Sequence, residues 1–164
     1  MRWRILAGVT GAMLALAIPA LGGKAVTSQA HLEDLRTAVD PTDGGWAVAT
    51  GVRQPGSTLV VLNVKGMDPG ATGRRLGAHV HVGPCVAGNG GAASGHYNHG
   101  GVVSAQTEVW LDFTVTGGGT GHATTRVPFE IPEGAAASIV IHEFPTDAIS
   151  GLAGGRMACI GIEF

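Results

Sequence analysis

Positive charge is scarce in this sequence. The 164 residues include 10 Lys and Arg against 12 Asp and Glu, which gives a formal net charge of −2 at pH 7. Because nucleic-acid binding depends on clustered positive charge that contacts phosphates, this balance argues against a nucleic-acid partner. The sequence also lacks an internal repeat and is of single-domain length, so we expect one domain.

Charge is missing altogether from residues 5–22, which follow the basic residues Arg2 and Arg4 and end in small residues. A basic start, an apolar stretch and a small-residue end are typical of an export signal. The alternative is an uncleaved membrane anchor, since ~17 to 25 apolar residues can span a bilayer. Pro19 and the glycines after it favour cleavage. We therefore expect residues 1–22 to be a signal peptide of a secreted or extracytoplasmic protein, with no stable membrane span after cleavage.

Cysteine occurs only twice, as Cys85 and Cys159. Neither lies near the proposed cleavage region, which argues against a lipoprotein anchored through an N-terminal cysteine. Thiols outside the reducing cytosol tend to pair, so export predicts one disulfide. This disulfide would close a loop of about 74 residues and contribute ~4 kcal/mol of stability by restricting the unfolded chain.

Aromatic residues make up only 5% of the chain, whereas glycine occurs 28 times. Short runs of Val, Ile and Thr alternate with Gly, Pro, Asn and Asp, a pattern that predicts an all-β sandwich or barrel. A hairpin is expected around the Gln54-Pro55-Gly56 break. Residues 23–44 are expected to form a polar N-terminal arm with a short helical turn at 31–37. The predicted strands are 45–53, 58–65, 76–82, 107–115, 120–130, 137–143 and 156–163.

Residues 83–106 differ in kind from the predicted strands. They are rich in Gly, Ala, Ser and Asn and contain almost no large apolar residue. Loops longer than ~15 residues in a compact domain are usually functional or disordered. Cys85 near one end and two histidines near the other indicate that this loop is held in place.

Five histidines in three separated segments are candidates for binding a metal. His79 and His81 are two residues apart on a predicted strand, so both rings point to the same face. The alternative for such a pair is two solvent-facing histidines. His96 and His99 come from the long loop, and His142 ends an apolar run. If the cysteines pair, no thiolate remains, and the set predicts a nitrogen-rich copper or zinc site.

Four segments follow one another along the chain: His79-Val-His81, Gly95-His-Tyr-Asn98, His142-Glu143 and Gly154-Gly-Arg-Met-Ala-Cys159. In composition and order they resemble the signature segments of the copper/zinc superoxide dismutase family. The resemblance runs from about residue 45 to the C-terminus. It implies that residues 45–164 form an eight-stranded antiparallel Greek-key β-barrel, sandwich-like in shape, with long metal-binding loops. It also implies copper-dependent dismutation of superoxide to dioxygen and hydrogen peroxide.

The resemblance carries over to individual residues. Four histidines match the copper ligands of the family, and one of them, His96, matches the histidine that bridges to zinc and relays a proton. Cys85 and Cys159 match the family's disulfide. Arg156 matches the arginine beside the copper, and its permanent charge would guide the anionic substrate. The matched copper ligands are His79, His81, His96 and His142.

The zinc site of the family is not fully matched. Only His99 and Asp112 are candidates for further zinc ligands, and His99 lies only three residues after His96. The predicted strand at 107–115 has no histidine where a third zinc ligand is expected. We therefore expect copper and no stoichiometric zinc.

The segment between His142 and Arg156 contains only 13 residues, which is short for the loop that links the two metal sites in zinc-containing members. Together with the incomplete zinc site, this resembles the copper-only branch, in which an acidic residue orients the bridging-type histidine. Glu108 and Asp112 are the candidates for that role. The alternative for each is an ordinary exposed position on a half-buried strand.

Two other functions fit the same sequence. The first is a non-enzymatic copper-binding protein on this scaffold, and the second is a structural extracellular module with incidental histidines. Metal storage has no use for an anion-guiding arginine, so Arg156 argues against the first. His31 and His122 are expected at the surface, and Arg74 and Arg75 are interpreted as a solvent-exposed pair in a loop. The sequence leaves a homodimer as one of the alternatives.

Overall fold

Antiparallel strands account for most of the regular structure in this computed structural model, which describes residues 23–164. The predicted signal peptide therefore lies outside the described residues. Across the described range there is no helix of the length and apolarity needed to cross a membrane. Two short 3-10 turns occur, at Pro69–Ala71 and Gly90–Ala93. The strands are β1 (Lys24–His31), β2 (Glu33–Asp34), β3 (Trp46–Gln54), β4 (Ser57–Lys65), β5 (Arg75–Leu76), β6 (Ala78–His81), β7 (Phe113–Thr114), β8 (Gly121–Val127), β9 (Ser138–His142) and β10 (Arg156–Gly161).

The first sheet has the strand order β1-β3-β4-β8. Burial alternates residue by residue along β3 and β4, because successive side chains of a strand point to opposite faces. Gln54 pairs with Ser57 across the predicted hairpin, and Gly56 in its turn has a φ of +74°. That hairpin is confirmed. One face of this sheet packs on the core, and the other faces solvent.

The second sheet has the order β2-β10-β9-β6, and every residue of β6 and β9 is buried. Its inner face meets the first sheet through apolar residues such as Val80, Ile139 and Ile160. Its outer face carries His79 and His142, and loops cover it. The outer face of the second sheet is therefore buried although it bears polar side chains.

The all-β antiparallel fold is confirmed as a sandwich of two four-stranded sheets with a small third sheet of β5 and β7. The two large sheets are not joined by hydrogen bonds into a closed barrel. β1 ends one sheet and β2 ends the other, so the expected barrel closure is absent from the described part of the chain.

Two segments differ from their predicted structure. Residues 24–31, assigned to the polar arm, form β1 and pair with β3 from Lys24↔Arg53 to His31↔Trp46. The helical turn expected at 31–37 is wrong, since His31 ends β1, Glu33–Asp34 form β2 and residues 35–37 form a bend. β1 is a half-buried edge strand, and its small inward residues gave a weak hydrophobic signal. The predicted strand at 107–115 is regular only at Phe113–Thr114.

The long loop at 83–106 is held against the outer face of the second sheet. A disulfide joins Cys85 to Cys159 of β10, with 5.8 Å between the Cα atoms, as predicted. The backbone N–H of Gly90 donates to the carbonyl of Leu35 just after β2 (3.2 Å), and Leu35 also packs in a small buried cluster with Cys159. These ties fix the loop over the histidines of β6 and β9.

Candidate metal centre

Four of the five candidate histidines converge on one point. His79 and His81 project from the same face of β6, and His142 lies at the end of the neighbouring strand β9. His96 reaches them from the long loop, which forms a bridge with β6 through His81. One ring nitrogen from each of the four lies within 4.8 Å of the others, so the group could hold a metal ion.

The rings of His81 and His142 are oriented by backbone carbonyls. His81 Nδ1 lies 3.2 Å from the carbonyl oxygen of Ser94, and His142 Nδ1 lies 3.3 Å from that of Gly154. A carbonyl oxygen only accepts hydrogen bonds, so each Nδ1 must donate its hydrogen. The Nε2 lone pairs of both rings therefore face the centre of the group.

Glu108 orients the ring of His96. Its Oε2 accepts from His96 Nδ1 at 2.9 Å and from Trp110 Nε1 at 2.8 Å, and its Oε1 accepts from Asn98 Nδ2 at 3.3 Å. The side chain of Glu108 is only 4% exposed, and these donors satisfy its carboxylate. Because Nδ1 of His96 donates outward, its Nε2 atom faces the group. Of the two acids considered from the sequence, Glu108 is the one that contacts His96.

His79 is placed differently. Its Nδ1 lies 3.0 Å from His96 Nε2, and its Nε2 lies 2.7 Å from the hydroxyl oxygen of Thr146. Asp112 does not contact His96, since its carboxylate accepts from Thr146 and lies 3.5 Å from Arg75 Nε. A hydroxyl can donate or accept, so the contact with Thr146 alone does not fix the tautomer of His79.

The donor set fits a cation. The Nε2 atoms of His81 and His142 are 3.3 Å apart, and because both carry lone pairs they repel each other unless a cation lies between them. Burial, followed by the neighbouring His96, lowers the pKa of His79 to about 2 and that of His81 to about 3. Burial also lowers the pKa of His142 to about 4. These three rings are thus neutral near pH 7, the form that binds metals, and a set of four imidazoles without a thiolate suits copper or zinc.

Arg156 lies beside the histidines and is fixed by two carbonyl oxygens. It begins β10 opposite His142, and its Nη1 and Nη2 donate to the carbonyls of Gly90 and Ser94. Burial, His96 and His142 lower the pKa of His81, and the nearby charge of Arg156 lowers it further.

The carbonyl of Ser94 therefore contacts both a candidate ligand and Arg156. Ser94 has a φ of +58° and is the only non-glycine residue in the described range with a positive φ. Such backbone conformations cost energy and are often found at functional sites. Here the conformation directs one carbonyl towards His81 and Arg156.

The remaining sequence candidates lie outside the group. His99 stacks on Phe129 with 4.5 Å between the ring centroids. His31 packs against the edge of Trp46, and His122 contacts Asn63 on the exposed face of the first sheet. Both are exposed, as expected.

Sequence reasoning missed three residues that support the site: Ser94, Trp110 and Thr146. Trp110 could have been found, because it lies two residues after Glu108 and so shares its face in extended backbone. Thr146 and Ser94 lie in loops, where no periodic pattern indicates what a side chain or carbonyl contacts.

These observations define a class of protein, an antiparallel β-sandwich whose disulfide-held loop and second sheet enclose a four-histidine group able to hold a metal ion. The fold is similar to that of a SOD-like protein from Bacillus subtilis, solved as a double mutant in which a tyrosine and a proline are replaced by histidine. The TM-score is 0.58 with 19% identity, over 82% of this chain and 95% of that one. At that identity the likeness shows the fold alone. No family model and no curated protein matches the sequence.

Proposed function

We propose that this protein is a copper-dependent superoxide dismutase that acts outside the cytoplasm. The observation that carries the proposal is the position of Arg156, a fixed cation beside the group of four histidines. A metal-storage site needs the histidines but has no use for the arginine. The overall reaction converts two superoxide anions and two protons into one dioxygen and one hydrogen peroxide.

The four histidines would hold the metal. Copper, when bound, would supply the one-electron chemistry by oxidising one superoxide and reducing the next. His79, His81 and His142 are almost completely buried and would form the rigid part of the site. The side chain of His96 is 17% exposed and is the most accessible of the four.

This difference in exposure supports His96 as the group that moves a proton. Its Nδ1 hydrogen stays with Glu108, so proton exchange would take place at Nε2, on the side that faces the group. The hydrogen bond to Glu108 would keep the His96 ring in a fixed orientation during that exchange. The other three rings are held by buried strands and have less freedom to move.

Arg156 would dock and guide superoxide. Its two carbonyl contacts hold the guanidinium in place, and a guanidinium keeps its charge at any physiological pH. A positive residue near a site can raise the capture rate of an anion by ~10-fold or more, even on a protein of net negative charge. Of the residues considered for a zinc site, His99 stacks on Phe129 and Asp112 accepts from Thr146, so copper without zinc remains part of the proposal.

Superoxide decay measured by pulse radiolysis, with the full chain loaded with copper, tests the proposal. The expected result is a second-order rate far above that of the metal-free protein. Copper bound with no such rate would favour the alternative, a non-enzymatic copper-binding protein. Metal analysis after loading with both metals should find one copper and no tightly held zinc per chain.

A further inference from the structure

Thr146 lies between a candidate metal ligand and a buried carboxylate. Its hydroxyl is 2.7 Å from His79 Nε2 and within hydrogen-bond distance of Asp112 Oδ1. Its backbone N–H donates to Asp112 Oδ2 at 2.9 Å. The side chain of Asp112 is 8% exposed, and Arg75 Nε lies 3.5 Å from it. Both oxygens of this carboxylate therefore contact the same residue.

The directions of these hydrogen bonds follow from the hydrogens available. An ionised carboxylate only accepts, and a hydroxyl has a single hydrogen. The Thr146 hydroxyl must therefore donate to Asp112, and its oxygen is left to accept from His79 Nε2–H. His79 is then protonated at Nε2, and its Nδ1 lone pair faces the group.

We propose that Asp112 and Thr146 are positioning residues that act through His79, holding it in the tautomer that presents Nδ1 to the metal. This inference rests on the proposed metal site. It accounts for the difference between His79 and the other three histidines, which present Nε2. It also gives the second candidate acid a role of its own, separate from that of Glu108.

The local backbone is built to bring Thr146 to His79. The backbone N–H of Gly77 donates to the carbonyl of Phe144 at 2.8 Å, which places the loop after β9 directly against the start of β6. A Cβ atom at Gly77 would lie 2.9 Å from that carbonyl and 3.1 Å from the Thr146 hydroxyl. Only glycine leaves room for this approach. The hydroxyl of Thr146 then spans the gap between His79 and Asp112.

Two substitutions at Thr146 and a matched control test the proposal. Thr146→Val removes the hydroxyl and keeps the shape, and Thr146→Ser keeps the hydroxyl. Thr124→Val makes the same change at an exposed Thr–His contact, where the Thr124 hydroxyl lies 3.2 Å from His122 Nε2. Imidazole ¹⁵N NMR of the metal-free full chain reports the tautomer, and competition with a copper chelator reports the affinity.

The wild type should show His79 protonated at Nε2. In Thr146→Val, His79 should no longer be held in the single Nε2-protonated tautomer. This variant should bind copper ~10- to 100-fold more weakly, the usual cost of removing a hydrogen-bond partner of a ligand. Thr146→Ser should restore both properties, and Thr124→Val should change neither. Asp112→Asn should resemble Thr146→Val, because an amide offers one acceptor where the carboxylate offers two.

Protonation of wild-type His79 at Nδ1 would overturn the proposal, and this measurement needs no variant to fold. Wild-type copper affinity in Thr146→Val would overturn it as well. The outcome is separate from that of the proposed function, because neither readout depends on turnover. A protein with the expected tautomer and affinities but no dismutase activity would contradict the function and leave the positioning role intact.

Discussion

The two large sheets share one core but differ in what covers their outer faces. The outer face of the first sheet is open to solvent, with Asn63, His122 and Thr124 forming hydrogen bonds among themselves. The outer face of the second sheet is closed by the long loop and the segment after β9. Similar residue types are thus a solvated surface on one sheet and a desolvated site on the other. Burial makes the difference, since it lowers the pKa of three histidines. It also removes the water that could replace a lost hydrogen-bond partner, so the ring nitrogen that carries the hydrogen matters on the second sheet.

The largest effect on stability should come from breaking the disulfide that holds the long loop over the outer face of the second sheet. Replacing both cysteines, Cys85→Ser with Cys159→Ser, should lower the free energy of unfolding by ~4 kcal/mol for the closed loop of about 74 residues. Denaturant unfolding with and without reductant measures the loss. Hydrogen exchange should show weaker protection in the long loop and β10 than in β3 and β4. Equal loss of protection in both sheets would contradict the loop-closing role.

A smaller effect is expected from removing the buried carboxylate of Glu108. Glu108→Ala leaves the donors of His96, Trp110 and Asn98 without their acceptor, and a buried donor left unsatisfied costs ~1 to 3 kcal/mol. Copper affinity should also fall, because the ring of His96 loses its orientation. Asn63→Ala is the matched control, since it removes the exposed acceptor beside His122 and water can replace it. Denaturant unfolding and competition with a copper chelator measure the stability and the copper affinity of both variants. Equal losses in the two variants would contradict the distinction between the two faces.

The sequence predicted which histidines lie on the second sheet better than it predicted the edge strands. His79, His81 and His142 were found because two-residue spacing and an apolar run place side chains predictably on strands. The choice of His96 over His99 and the role of Arg156 came from a resemblance, since nothing in loop composition shows which side chain turns inwards.

The misses have physical causes. Edge strand β1 only half-buries Val26, Ser28 and Ala30, so its alternation is faint. Around Glu108 the backbone makes isolated bridges, Asn98 with Glu108 and His79 with Trp110, rather than a regular strand. The choice between Glu108 and Asp112 needed three-dimensional contacts, as did the part played by Thr146.

The stability of the metal-free protein should depend on pH through the buried histidines of the second sheet. Their pKa values lie at about 2, 3 and 4 in the folded protein, against an ordinary value of 6.5. Above pH 6.5 both states are neutral and the effect is absent. Below it, the unfolded chain takes up protons that the folded chain does not, so the free energy of unfolding falls as the pH drops towards 4. Urea titrations across this range check the slope, and His142→Gln should reduce it. A flat wild-type curve would show that the rings are not buried as described.

The smallest effect is expected from replacing Arg156, which lies beside the four histidines and is not a candidate ligand. Arg156→Ile should lower the catalytic rate constant severalfold and leave copper affinity nearly unchanged, because the guanidinium binds carbonyls and not the metal. Arg126→Ile is the matched control, since Arg126 lies exposed on β8 and contacts Gln54 and Ser57 of the first sheet.

Electrostatic capture adds a signature that a structural defect would not produce. The wild-type rate should fall with added salt, since the Debye length shortens from ~30 Å at 0.01 M to ~10 Å at 0.1 M. The Arg156→Ile rate should fall less, so the two curves should converge, while Arg126→Ile should follow the wild type. Pulse radiolysis over this range of ionic strength makes the measurement. Equal rates for wild type and Arg156→Ile at low salt would remove the arginine from the mechanism, and with it the strongest argument that the enclosed face serves an anionic substrate.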